Sequence, residues 1–145
     1  MGILLNFRKG KSMFKVTYKQ LRSDALKSAL VKIATSSDYK NINCLKKVAA
    51  LVKAVEEKLH TSQKDWVALA DTLIQKDAEK GNYKFTEQKG PVWLEGVEAE
   101  KADKQIEDFL AKEVIIEAPK ISITDIASVV LSPADIVNLS PVLAD

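Results

Sequence analysis

Along the chain, apolar residues fall into three stretches with a helical period, separated by stretches that alternate or have no period. The most regular is LKKVAALVKAVEEKL, residues 45–59, in which Leu45, Val48, Val52, Val55 and Leu59 recur at alternating steps of three and four. An α-helix turns once in about 3.6 residues, so this spacing puts all five on one side, and something must cover them. The pattern continues through Ser62, Trp66, Leu69 and Leu73, with Gly81-Asn82 as the stop, which predicts one helix from about Ile42 to Lys80. The alternative is a break near His60-Thr61-Ser62, because Ser62 and Asp65 have the spacing to cap a new helix.

Shorter elements flank this rod. FKVTY, residues 14–18, alternates like a strand, and Thr17 with Gln20 has the spacing of a capping box, in which each side chain satisfies an orphan backbone donor. A first helix is predicted from there to about Ala34, with Leu21, Leu26, Ala29, Leu30 and Ile33 as its buried face. Residues 81–96 are irregular, with KFTEQ and VWLE as possible arms of a hairpin about Lys89-Gly90-Pro91. A third helix spans about Val97 to Lys112 and buries Ala102, Ile106, Phe109 and Leu110. The first and third helices together are about as long as the rod, so an antiparallel return of each covers the stripe. On that reading residues 45–59 pack on the first helix, residues 66–73 on the third, and any uncovered stripe faces another subunit.

After the third helix the β-branched runs VIIE and ISI predict two short strands, one of them a partner for FKVTY. Ser132-Pro133-Ala134-Asp135 is a helix start, with serine as cap, proline first and an acid in the first turn, so a short helix is expected over Asp135 to Leu139, ended by Ser140-Pro141. The expected fold class is mainly α with a small β element: a long central helix packed by two shorter ones, with short strands near each terminus. Residues 1–12 lack a period and carry two glycines and three basic residues, so they read as a flexible arm before a single domain over 13–145.

Composition changes this picture little. The 145 residues suffice for a core without disulfides or metals, and 46% hydrophobic with 29% charged residues is ordinary for a globular domain. No apolar run approaches the roughly 20 residues that span a bilayer, and MGILLNF before Arg8 and Lys9 reverses the order of a secretory leader, so neither membrane insertion nor export is expected. Gly2 does not make a myristoylation signal, because Asn6 stands where Ser or Thr is required. The single cysteine, Cys44, fits an intracellular setting. Charge is split: residues 1–54 hold twelve Lys or Arg against two acids, 12 − 2 = +10, and residues 55–145 hold ten against eighteen, 10 − 18 = −8. Such a split either is satisfied internally or between subunits, or marks a basic end that seeks an acidic partner.

The search for chemistry returns little. His60 has no nucleophile beside it in sequence, Cys44 lacks a cysteine-protease context, and the glycines are too scattered for a phosphate loop. The acidic groups Glu56-Glu57, Glu98 to Asp103 and Glu107-Asp108 have lysines three or four residues away and read as solvated, ion-paired helix faces. No catalytic residue, cofactor or metal is therefore expected. Candidate interaction residues are Lys46, Lys47 and Lys53 on the central helix, Trp93 in the irregular stretch, and Glu98, Asp103 and Asp108 on the third helix. Trp93, near Tyr83 and Phe85, either plugs the hairpin or anchors a partner. The lysines lack base-stacking aromatics, so nucleic acid is not the expected partner. The expected contact sets the basic first segment against an acidic surface around Glu98 to Asp108, on a second copy or another protein.

The succession MFKVTYKQL, a charged helical middle, EVIIEAPKISITDI and LSPADIVNLSPVL resembles a family of small tailed-bacteriophage proteins of unassigned function, over residues 13–145. The family pattern begins near Met13, leaving the first twelve residues outside it. Its motifs carry packing and capping, and it supplies no catalytic residues. The resemblance implies a phage protein without enzymatic activity: a structural or morphogenesis component that contacts other phage proteins or copies of itself, in the virion or in the host cytoplasm during assembly. A tail-assembly chaperone absent from the finished particle, and a small regulator binding a host protein or nucleic acid, are the alternatives.

Overall fold

The computed structural model describes residues 11–39, 41–88 and 90–143. Among them are five α-helices and a two-stranded antiparallel sheet, with a long central helix as expected. In chain order the elements are β1 (Lys11–Thr17), α1 (Tyr18–Leu21), α2 (Asp24–Thr35), α3 (Ile42–Leu73), α4 (Ala99–Ala111), β2 (Glu113–Pro119) and α5 (Pro133–Leu139). Two 3-10 turns, Thr124–Ile126 and Ser140–Val142, bracket the C-terminal segment.

The sheet follows from alternation. β1 pairs with β2 from Lys11↔Pro119 to Thr17↔Glu113, with Phe14 opposite Ile116. Phe14, Val16, Ile116 and Ala118 are buried on one face, whereas Lys15 and Glu113 form an exposed ion pair at 3.5 Å. β1 thus begins at Lys11, inside the stretch expected to be an arm, and residues 1–10 of that stretch lie outside the described residues. The second expected strand, ISI, is not one: Ile121 and Ile126 are both buried at the two ends of a turn in which the Ser122 amide donates to Asp125 Oδ2 at 2.9 Å.

The predicted first helix is two. α1 carries the expected capping box, with the Gln20 amide donating to Thr17 Oγ1 at 3.1 Å and the Thr17 amide to Gln20 Oε1 at 2.9 Å. It stops after one turn because Ser23 takes an extended conformation and caps α2, its hydroxyl accepting from the Leu26 amide. α5 starts at the expected place, with a capping box between Ser132 and Asp135 and Pro133 first. Asp135 is 7% exposed and also accepts from Lys32 Nζ at 2.7 Å, which ties α5 to α2.

α3 is unbroken through His60 to Ser62, so the capping alternative is not realised. Ser62 is fully buried, and its hydroxyl donates back to the Leu59 carbonyl at 2.7 Å instead of opening a new helix. The helix is roughly 48 Å long at 1.5 Å per residue. It ends at Leu73, short of Lys80, because the next residues pair across the chain: Ile74 bridges to Trp93, Lys76 to Tyr83 and Phe85 to Pro91. Gly81, at φ 68°, turns the first of these loops instead of ending the helix. The second loop is the expected hairpin, with the Thr86 amide donating to the Gly90 carbonyl at 2.7 Å; Lys89 lies outside the described residues. α4 occupies the interior of the span expected for the third helix, Ala99 to Ala111.

Two apolar clusters line α3. The larger joins Val48, Leu51 and Val55 to α2, the buried sheet face and the C-terminal Leu139, Val142 and Leu143. The smaller joins Ala70, Leu73 and Ile74 to Ala102, with Trp66, Trp93 and Ile106 packed against it. The division expected along the rod holds in part: its second half packs on α4, but its first half is covered by the sheet at least as much as by α1 and α2. Where the clusters meet, Tyr18 and Trp66 both pack on Phe109, at ring-centroid distances of 5.1 and 5.6 Å.

Candidate interaction surface

The helical stripe has two flanks, and the fold treats them differently. Val48, Val55 and Ser62 point into the core together with Leu51, which the stripe did not include. The other flank, Leu45, Val52 and Leu59, is turned aside: Leu45 is 46% exposed, and Val52 and Leu59 are half-buried. Burial is thus centred between Val48 and Leu51, leaving one apolar edge of α3 at the surface.

That edge forms one wall of a groove. α2 runs antiparallel to α3 and supplies the other wall with Lys27, Leu30, Val31 and Ala34. The groove has two lobes of about 240 and 270 Å³, which share Ala34, Val52 and Glu56 and so form one continuous trough. Val31 is 57% exposed although it sits on a helix whose Leu26, Ala29, Leu30 and Ile33 are buried. Lys27, Lys53 and Glu56 are the charged groups along the trough. Its chemistry is that of a contact surface, an apolar floor with charges at the margin.

A second, more polar cleft of about 620 Å³ lies at the N-terminal end of α3, between Cys44, Lys46 and Lys47 on one side and Pro119, Lys120 and Asp125 on the other. The Ser122 backbone amide, and then Cys44 and Lys47, hold the Asp125 carboxyl below the usual range. Lys47 Nζ is 3.6 Å from Asp125 Oδ2, and the Cys44 thiol donates to Oδ1 at 3.5 Å. Desolvation, followed by Asp125, pushes the Cys44 thiol up from its ordinary value. A raised thiol is a poor source of thiolate, so this environment disfavours nucleophilic chemistry at Cys44.

The candidate residues are spread over the molecule. Lys46 and Lys47 line the polar cleft, and Lys53 edges the apolar groove. Trp93 is half-buried and packs on the smaller cluster, while the Gln75 side-chain amide donates to its carbonyl at 2.9 Å, so it serves the bridged loops as packing. Glu98 precedes α4 as its cap without a side-chain cap bond, and is 3.4 Å from Lys101. Asp103 and Asp108 are exposed on α4. α4 lies along the last part of α3, through Ala102 against Ala70 and Phe109 against Trp66, whereas the three lysines lie within its first twelve residues. The structure does not bring the acidic and basic candidates together within one molecule.

Sequence reasoning missed the α2 wall, because Val31 and Ala34 fall off the predicted buried face of their helix. The signal was present: a β-branched residue on an otherwise polar side. It also missed the junction in which the Tyr18 hydroxyl donates to Asp65 Oδ2 at 2.6 Å and Lys112 Nζ lies 3.6 Å from the same oxygen. There Arg22 caps the aromatic group, 5.8 Å above the Trp66 ring and donating to Gln63 Oε1 at 3.0 Å. These partners are 47 and 41 residues apart in sequence. Exposed His60 lies outside both grooves.

Among the described residues no group of three or more His, Cys, Asp or Glu side chains is placed to hold a metal ion, and no helix is long and apolar enough to cross a membrane. Comparison of the chain with family models, curated proteins and solved structures finds no match.

Proposed function

We propose that the protein is a non-enzymatic structural or morphogenesis component of a tailed bacteriophage that works through protein–protein contacts, in the virion or in the host cytoplasm during assembly. The observation that carries the contact reading is the continuous apolar trough between α2 and α3, with Val31 and Leu45 exposed in its walls. Apolar side chains held open at 57% and 46% by well-packed helices gain free energy when a partner covers them. The phage assignment rests on the resemblance of residues 13–145, from MFKVTYKQL to LSPADIVNLSPVL, to small tailed-phage proteins.

Deleting the gene in its phage, counting particles and identifying the proteins of purified particles tests the reading. Loss of particle yield, with the chain present in wild-type particles or in arrested assembly intermediates, supports it. Unchanged yield and unchanged particle composition overturn it. Presence in intermediates alone identifies an assembly factor that leaves the finished particle.

A further inference from the structure

We infer that the trough between α2 and α3 is covered by the same trough of a second copy of this chain, around a two-fold axis that passes beside Val52; the inference rests on the contact reading of function and names its partner. Leu45 and Leu59 stand seven residues to either side of Val52, so the row, exposed at Leu45 and half-buried at Val52 and Leu59, reads the same in both directions along the helix. Two such rows laid antiparallel place Val52 on Val52 and Leu45 on Leu59, twice, which is what an isologous contact requires. Val52 belongs to both lobes, and Val31, 57% exposed on the α2 wall, lines the lobe that contains Val52, Val55 and Leu59.

The charges agree with this pairing. When Val52 meets its counterpart, Glu56 of one copy comes level with Val48 of the other. It then lies about 3 Å along the axis from Lys46 and about 8 Å from Lys53, within reach of two long basic side chains. The symmetry repeats the pairing at the other end, so each copy contributes one acid and two lysines with opposite charges facing. Parallel docking of the same faces would instead put the charged residues of the two copies on opposite sides of the seam, with Lys53 level with Lys53 and Glu56 level with Glu56.

The face is small. Leu45 to Leu59 spans about 21 Å at 1.5 Å per residue, and two helices are about 20 Å wide, giving roughly 400 Å² per copy. Standard interfaces bury about 800 Å² per partner, so association should be reversible and concentration-dependent.

The test is sedimentation of the full chain up to about 100 μM, a concentration that populates contacts at the weak, micromolar end of the affinity range, combined with thiol cross-linking in a Cys44→Ser background. The expected result is a dimer at high concentration and a twofold lower mass for Val31→Glu, with thermal melting unchanged at high dilution, since Val31 is exposed in the single chain. Val52→Cys should cross-link to itself. Leu45→Cys should not, because the two copies of that residue lie about 21 Å apart along the axis, but should cross-link when mixed with Leu59→Cys. A wild-type monomer at every concentration overturns the inference, as does a dimer that Val31→Glu leaves intact or one in which Leu45→Cys links to itself. A monomeric protein that is nevertheless required for particle yield overturns the two-fold contact and leaves the proposed function standing.

Discussion

Leu51 and Leu45 sit six residues apart on the same helix, and replacing each with alanine separates core from surface. Leu51 is 0% exposed, in the apolar cluster that contains α2 and the sheet. Truncating it removes about 2 kcal/mol of transfer free energy, at about 0.8 kcal/mol per methylene-sized group, and leaves a void lined by neighbours that cannot fully collapse. The expected total for Leu51→Ala is about 3–4 kcal/mol. Leu45 is 46% exposed, so Leu45→Ala forfeits roughly half the transfer term with no closed cavity, about 1 kcal/mol. Urea unfolding at high dilution, where association does not contribute, reads the difference: with a slope of about 1–3 kcal/mol per molar, the Leu51→Ala midpoint should fall by about 1–4 M at constant slope. Equal losses from the two variants, or a larger loss at Leu45, would refute the assignment of which flank is buried.

Ser132→Ala should cost about 1 kcal/mol, read as a lowered melting temperature, because it removes the hydroxyl that caps α5; an unchanged melting temperature would contradict the capping box. Asp135, held below the ordinary carboxylate range first by Lys32 and then by the Ser132 amide, and Asp125, held down first by the Ser122 amide, give the chain an acid-sensitive term. Depressed folded values mean that this stability is present above the unfolded value of about 3.9 and is lost as pH falls through the folded values, and Lys32→Met should flatten that loss; an identical acid profile for the variant would count against the Lys32–Asp135 tie. Tyr18 and Tyr83 are each pushed up to about 12, chiefly by desolvation and then by the acceptors Asp65 and Asp71. Their stabilisation is complete below the unfolded value of about 10 and is lost as pH rises from there through about 12, so tyrosinate absorbance of the folded protein should lag. Ionisation of every tyrosine near 10 with the fold intact would contradict these environments.

Local signals in the sequence translated directly into structure. Thr17 with Gln20 and Ser132 with Asp135 form capping boxes because the decisive atoms lie three residues apart and need no tertiary partner. The ends of elements set by distant pairing were not legible. Nothing between Leu73 and Gly81 breaks a helix by itself; α3 stops because Ile74 is drawn to Trp93. ISI alternates like a strand, yet it joins neither outer edge of the two-stranded sheet, and Asp125 folds the segment into a turn. The stripe on α3 was visible, but its direction was not: period alone cannot say that Leu51 turns inward and Leu45 outward, since the sheet that decides this comes from both ends of the chain. The groove was invisible for a related reason, because Val31 becomes part of a surface only when α2 lies beside α3. The lysines and acids singled out from sequence proved to be spread along the rod, since charge composition carries no information about which faces meet.

The proposed phage role is tested most directly by complementation of a phage lacking the gene with Val31→Glu, alongside Cys44→Ser and His60→Ala, each checked for wild-type expression and melting. If the trough between α2 and α3 is where the protein acts, Val31→Glu fails to restore particle yield, while Cys44→Ser and His60→Ala, which change neither wall of the trough, restore it. Full yield from folded Val31→Glu, or loss of yield from either of the other two with folding intact, would contradict the account.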